Sequence, residues 1–309
     1  MPNYQGVWSL STQYQNRTGW PVQPLYGDIG IIGGGTSNEI QYVQISTLGD
    51  SADFGDLTAN RSLMGTASSS TRGLFFGGNG NSNIDYITIR SRGNAANFGS
   101  LSTGSGGDAG VSNETRAVTT VSQSNSNRLE YVTIATLGNT TDFGDRTVSV
   151  QFSHGCCSST RGVFAGGSAV TSTNVIDYIT IASAGNASDF GDLTLDRSLN
   201  GSGVVSSSTR SVFMGGDTGS GSNVIDYVTT ATTGNASDFG DMIGTRRYGG
   251  GGMSNATRGL KAGGFGVSAT TSEIDYITIA TTGNSSDFGD LTVGAGYRAG
   301  LSNAHGGLQ

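Results

Sequence analysis

The residues whose types and spacing could do chemistry are the carboxylates of a recurring Asp-Phe-Gly-Asp phrase. Asp189 with Asp192, Asp238 with Asp241, and Asp287 with Asp290 resemble the acid and base pairs of glycoside hydrolysis. The same phrase recurs in nearly every repeat, whereas a catalytic pair would occur once. Repetition marks a scaffold in which Asp side chains accept backbone N–H groups in turns. Repeated calcium binding is the alternative, because oxygen ligands are plentiful, but no calcium-loop spacing is present.

Other reactive side chains are few. His154 and His305 are the only histidines, about 150 residues apart, and neither has a partner at metal-ligand spacing. Each reads as a lone polar loop residue. Cys156 and Cys157 are adjacent and are the only cysteines, so no disulfide framework holds the fold. They read as two buried or half-buried thiols, since a bridge between neighbours is strained. No G-x-S-x-G elbow or P-loop occurs, and the glycine runs are unattached to a helix start. Arg72, Arg161, Arg210 and Arg258 each follow a Thr and could line a central anion site; pairing with carboxylates such as Asp177 or Asp226 is preferred. The expectation is a non-enzyme with no catalytic residue, no metal and no cofactor.

The elements that must position these groups are set by composition. Of 309 residues 52 are Gly and 3 are Pro, and Lys261 is the only lysine, which excludes helices and collagen. With 34% hydrophobic residues the chain can still build a core, so it reads as all-β. The net charge of -7 and the even spacing of the arginines argue against nucleic acid. No stretch is long and apolar enough to span a membrane, and MPNYQGVWSLSTQYQ lacks the features of a secretory signal.

One phrase recurs six times, with Tyr42, Tyr86, Tyr131, Tyr178, Tyr227 and Tyr276 followed twelve residues later by Phe54, Phe98, Phe143, Phe190, Phe239 and Phe288. Successive Phe residues are 44, 45, 47, 49 and 49 apart, the period of a four-stranded propeller blade. Strand a lies in segments such as RSLMGTA, and strand b is the GLFFGG type, its glycines placed for positive φ or close backbone approach. Strand c is IDYITI, with large groups on both faces, as a strand covered on both sides requires. Strand d carries the Phe of Asp-Phe-Gly-Asp.

The ends of the chain complement each other. The first repeat begins at strand b near Gly27, and the segment after Phe288 supplies only a strand a before the chain stops at Gln309. A closed six-bladed β-propeller follows, four antiparallel strands per blade, in which a strand from about 294–304 completes the blade built from 28–58. Residues 27–309 form the propeller and 1–26 a separate segment. There Val7, Trp8, Leu10, Tyr14 and Trp20 form an apolar set that either packs beneath the ring or docks onto a partner.

Loop lengths differ between the two faces. The c–d loop is constant, but the distance from the second b-strand glycine position to the Tyr runs 8, 8, 9, 11, 11 and 12. The face carrying the b–c and d–a loops is therefore the variable one. Candidate recognition residues there are Asn81, Asn83, Asn125, Thr171, Thr173, Asn174, Ser220, Asn223, Thr270 and Thr271. They offer neutral groups suited to sugar hydroxyls; the plainer reading is soluble loops.

The order of an arginine-containing strand, a hydrophobic strand ending in Gly-Gly, a Tyr-containing strand and a large aromatic is similar to Kelch repeats over residues 27–309. The usual Trp is Phe in every copy and one copy has lost its Gly-Gly, so the likeness is to a divergent Kelch-type family. The wording IDYITIATTGNSSDFGDLT with SSSTRG, preceded by GVWSLSTQYQ and Trp20-Pro21, more specifically resembles glycine-rich virion proteins of marine tailed phages. That resemblance implies a non-enzymatic structural protein of the virion, a tail fibre or decoration type exposed on tail or head. It implies assembly in the host cytoplasm, multiple copies per particle, other virion proteins as partners through 1–26, and a host-surface glycan as a target. No nucleic acid and no membrane span are expected. The alternative is a free carbohydrate-binding propeller lectin, and a remote third is a divergent glycan-active enzyme.

Overall fold

The β-branched and aromatic c strands demand a partner on each edge and a cover on each face. The computed structural model, which describes residues 25–199, 203–266 and 268–309, meets that demand with six four-stranded antiparallel sheets around one axis. Blade 1 contains β1 (Ile29–Gly33), β2 (Glu39–Gln44) and β3 (Ala52–Asp56). Blade 2 is β4 (Gly65–Ser68), β5 (Arg72–Phe76), β6 (Asn81–Thr88) and β7 (Ala96–Ser105). Blade 3 is β8 (Gly110–Ser112), β9 (Arg116–Thr120), β10 (Arg128–Thr133) and β11 (Thr141–Asp145). Blade 4 is β12 (His154–Cys157), β13 (Arg161–Ala165), β14 (Val175–Thr180) and β15 (Ser188–Asp192). Blade 5 is β16 (Gly203–Ser206), β17 (Arg210–Asp217), β18 (Gly221–Thr229) and β19 (Ser237–Arg246). Blade 6 is β20 (Gly251–Ser254), β21 (Arg258–Ala262), β22 (Glu273–Thr278) and β23 (Ser286–Asp290).

The ring closes as expected. β24 (Ala299–Ser302) joins blade 1 as its strand a, with Ile31 opposite Leu301 and Gly33 opposite Ala299. The innermost strands β4, β8, β12, β16, β20 and β24 surround the axis. Hydrophobic residues fill six wedges between blades. One holds Ile31 and Phe54 of blade 1 with Phe75 and Ile87 of blade 2. Each repeated Phe is buried, a gain of roughly 1.5–3 kcal/mol apiece, and meets its Tyr edge to face, as Tyr178 and Phe190 do at 5.9 Å and 81°.

The constant spacing from Tyr to Phe has a cause in the ring. The c–d loop of each blade clasps strand d of the blade before it, so the outer edges are covered. At the first junction the Gly93 N–H donates to Phe54 O at 2.9 Å and the Ala95 N–H to Asp56 O at 2.7 Å. At the closing junction the Gly49 N–H donates to Phe288 O at 3.0 Å. A Cβ on Gly144 would lie 2.6 Å from the Gly185 carbonyl carbon, so glycine is required where strand and loop meet.

Two expectations are corrected at these junctions. Backbone N–H groups in strand d are met by the loop Asn of the next blade at five junctions, as Asn186 Oδ1 accepts from the Asp145 N–H at 3.0 Å, and by Asp50 at the closing one, while Asp142, Asp189, Asp238 and Asp287 are exposed. The Thr-Arg arginines do not seek carboxylates. Arg161 lies 4.2 Å over the Tyr178 ring and donates to Thr230 O of blade 5, and Arg210 repeats this with Tyr227 and Ile279 O. Strand b sets each of them over the Tyr ring of its own strand c, from where the guanidinium reaches a backbone carbonyl of the next blade.

A second arginine set takes the carboxylates. Arg61, Arg146 and Arg197, in the d–a connections, reach Asp85, Asp177 and Asp226 of the following blade at 2.5, 3.0 and 2.9 Å, all buried. Each Asp also accepts from the Thr two residues past the end of the preceding strand d, as Asp177 does from the Thr147 N–H and hydroxyl. Gln41 and Glu130 hold the same position in blades 1 and 3, accepting from the N–H groups of Thr292 and Ser102.

Candidate binding face

The two faces of the ring differ in chemistry. Both ends of the described chain lie on the constant face, among the a–b and c–d turns. The Leu25 N–H donates to Arg90 O in a c–d loop. After β24 the chain folds over the axis in a 3-10 turn at Gly306–Leu308. The Gly306 N–H donates to Ser206 Oγ, and Gln309 Oε1 accepts from the Ser208 N–H at 3.0 Å.

The axial channel behind this turn encloses only about 60 Å³, space for water but not for a ligand. Its wall brings together side chains that are far apart in sequence. His154 begins β12 and so is not the loop residue expected, whereas His305 does lie in a loop, the tail turn, with its ring against the channel wall. His305 Nδ1 lies 3.6 Å from Cys157 Sγ. This is not a nucleophile and base pair. Burial pushes the Cys157 thiol up to about 11 and His305 down to about 4, which keeps both neutral. Burial likewise raises Cys156 and lowers His154 to about 3, and both thiols are free and buried.

On the opposite face the d–a connections form a rim around the axis. Their backbones are linked in sequence: the Tyr297 N–H donates to Tyr248 O, Leu63 to Tyr297 O, Gly107 to Leu63 O, Phe152 to Gly107 O, and Leu199 to Phe152 O, at 2.8–3.3 Å. This geometry needs left-handed backbone. Gly107 takes it at φ +80°, but Leu63, Phe152, Tyr248 and Tyr297 take it with φ of 62°, 60°, 51° and 58°. For bulky residues this costs on the order of 1 kcal/mol each.

These four half-buried side chains line one cleft of about 740 Å³. Because its wall draws on d–a connections from five of the six junctions, the cleft lies over the axis. Ser168, Thr171 and Ser172 of the blade 4 b–c loop, and Asp217 and Thr218 of blade 5, close one side, with Asp196 beside them. Tyr248 and Tyr297 stack at 5.6 Å and 27°, with the Phe265 ring edge-on to both. Arg247 lies 4.1 Å over the Tyr248 ring, outside the cleft wall. Burial, with the neighbouring Tyr248, raises Tyr297 above the ordinary phenol range. The arrangement offers flat apolar surfaces, two carboxylates and several hydroxyls in one bowl.

Of the recognition residues expected from sequence, the structure brings Thr171 alone into this cleft. Several others serve their own turns: Asn81 Oδ1 accepts from the Asn83 N–H, Thr173 Oγ1 from Val175, and Thr271 Oγ1 from Glu273. Asn125 takes φ 57°, Asn174 O accepts from Leu193, Ser220 O from Thr218, and Thr270 pairs with Phe265. Asn223 precedes Val224 within β18. Val7, Trp8, Leu10, Tyr14 and Trp20 lie outside the described residues. The aromatic rim escaped sequence reading because d–a segments are the least repeated part of the chain. A usable signal was the single glycine, Gly107, standing where the other copies carry Leu, Phe or Tyr.

Among the described residues no group of three His, Cys, Asp or Glu side chains is placed to hold a metal. Comparison with protein-family models and with curated proteins finds no match to this chain.

Proposed function

We propose that this chain is a Kelch-like propeller acting as a non-enzymatic structural protein of a tailed-phage virion, a surface-exposed interaction or host-attachment platform. The observation that carries the platform reading is the opposition of the two faces. Leu25, from which residues 1–24 lead off, and the tail turn both occupy the constant face, while the open cleft and the loops of unequal length occupy the other. A protein anchored through its first segment would thus present its variable face outward. The virion assignment is supported by the sequence resemblance over GVWSLSTQYQ and the repeat wording.

Mass spectrometry of purified virions tests it. The chain is expected in several copies per particle, and its absence would overturn the assignment. Deleting residues 1–26 should leave the ring folded and abolish incorporation. The second reading, a free lectin, is favoured by the aromatic and hydroxyl lining of the cleft and predicts sugar binding without incorporation.

A further inference from the structure

The rim aromatics need a reason. Gly107 shows that the hydrogen-bonded rim accepts glycine, the residue its left-handed backbone favours, yet four other positions carry large side chains that disfavour this conformation. Backbone geometry therefore does not account for Leu63, Phe152, Tyr248 and Tyr297; what their side chains face does. All four face the same cleft.

We propose that the axial cleft is a binding site for a neutral saccharide, with Tyr297 as the stacking ring, Tyr248 backing it beneath the Arg247 guanidinium, and Asp196 and Asp217 as acceptors for sugar hydroxyls. The proposal rests on reading the variable face as the presenting one. Aromatic faces pack against the C–H side of a pyranose ring, while carboxylates accept from its hydroxyls. Among the described residues no lysine or arginine lines the cleft, and the neighbouring Arg247 is engaged by the Tyr248 ring and hydroxyl, so a phosphate or an acidic sugar would meet Asp196 and Asp217 with no cation in the wall. The volume of about 740 Å³ falls within the range of small-ligand sites and admits more than one sugar unit. Asp196 makes no side-chain hydrogen bond among the described residues. Asp217 Oδ1 accepts from the Gly219 N–H, which leaves its other oxygen for a ligand.

Saturation-transfer NMR on the full chain tests this with methyl glycosides of glucose, galactose, mannose and N-acetylglucosamine, alongside sialic acid and choline. Transfer to at least one neutral glycoside is expected, and none to sialic acid. Titration of that glycoside against Asp196→Asn and Tyr297→Asn should show affinity reduced about tenfold or more, with Tm nearly unchanged. Asparagine tolerates the left-handed backbone at 297, and the Asp196 variant serves if the Tyr297 variant fails to fold. No neutral glycoside binding, binding that both variants leave intact, or binding of choline instead would each overturn the proposal. Failure here leaves the virion reading standing, since incorporation is scored separately, and absence from virions leaves the cleft result standing.

Discussion

Arg197 and Asp226 meet at 2.9 Å with both side chains fully buried, although one belongs to the connection leaving blade 4 and the other to a strand of blade 5. Asp226 also accepts from the Thr194 hydroxyl at 2.6 Å, so one carboxylate ties the end of one blade to the middle of the next. Related pairs at Asp85 and Asp177 make these contacts staples of the ring.

Removing one partner leaves a buried charge without compensation. Asp226→Ala is expected to cost about 3–5 kcal/mol, whereas Asp189→Ala, at an exposed position, should stay within about 0.5 kcal/mol. Denaturant unfolding followed by circular dichroism measures both. Equal effects would show that the pair is no staple.

β24 closes the ring through four residue pairs with β1. Truncating residues 294–309 exposes the β1 edge and unpacks the Ile31 and Leu301 wedge. The loss of several kcal/mol should lower Tm by roughly 10 °C or more. An unchanged Tm would refute closure by this strand.

The tail turn shields the channel thiols. Cys157 Sγ donates to Ser112 O and lies beside His305, and its thiol is pushed up to about 11. Native protein at pH 8 should resist iodoacetamide at both cysteines, while deletion of residues 304–309 should leave the ring folded and make Cys157 reactive. Peptide mapping after quenching reads the outcome, and a Cys157 still inert in the folded deletion would show that the turn is not its shield.

Acid should weaken the fold through two histidines. Burial lowers His154 to about 3 and His305 to about 4, so each is neutral when folded and accepts a proton more readily when unfolded. Their contribution is complete above the unfolded value near 6.5 and is lost as pH falls through 6 toward 4, by up to about 1.4 kcal/mol per pH unit for each. His305→Gln should flatten the decline of Tm between pH 7 and 4.5; an unaltered slope would exclude His305 as a cause.

Rim positions should respond oppositely to glycine chemistry. A Cβ at Gly107 would lie 2.4 Å from Phe152 Cδ1, on a backbone at φ +80°. Gly107→Val should therefore cost about 2 kcal/mol or more, while Leu63→Gly should be nearly neutral because relieved strain offsets lost packing. A neutral Gly107→Val would mean the rim is not set by its backbone.

Much of the fold was legible from Tyr42, Phe54 and their five copies, because a constant twelve-residue spacing reflects a hairpin repeated without change. The split repeat at Gly27 and Gln309 likewise disclosed the closing strand, since an unpaired strand at each end has only one complementary partner in a ring. The variable face could also be named from loop lengths alone.

The site was not legible in the same way. Leu63, Phe152, Tyr248 and Tyr297 are separated by up to 234 residues and share no motif, and only the axis of the ring brings them to one cleft. Likewise, the sequence by itself determined that arginines and aspartates recur in most blades, but not that two arginine sets divide between rings and carboxylates. Periodicity records what each blade needs for its own pairing, and that is local. Which side chains meet across blades depends on twist and closure, which exist only once six blades surround one axis.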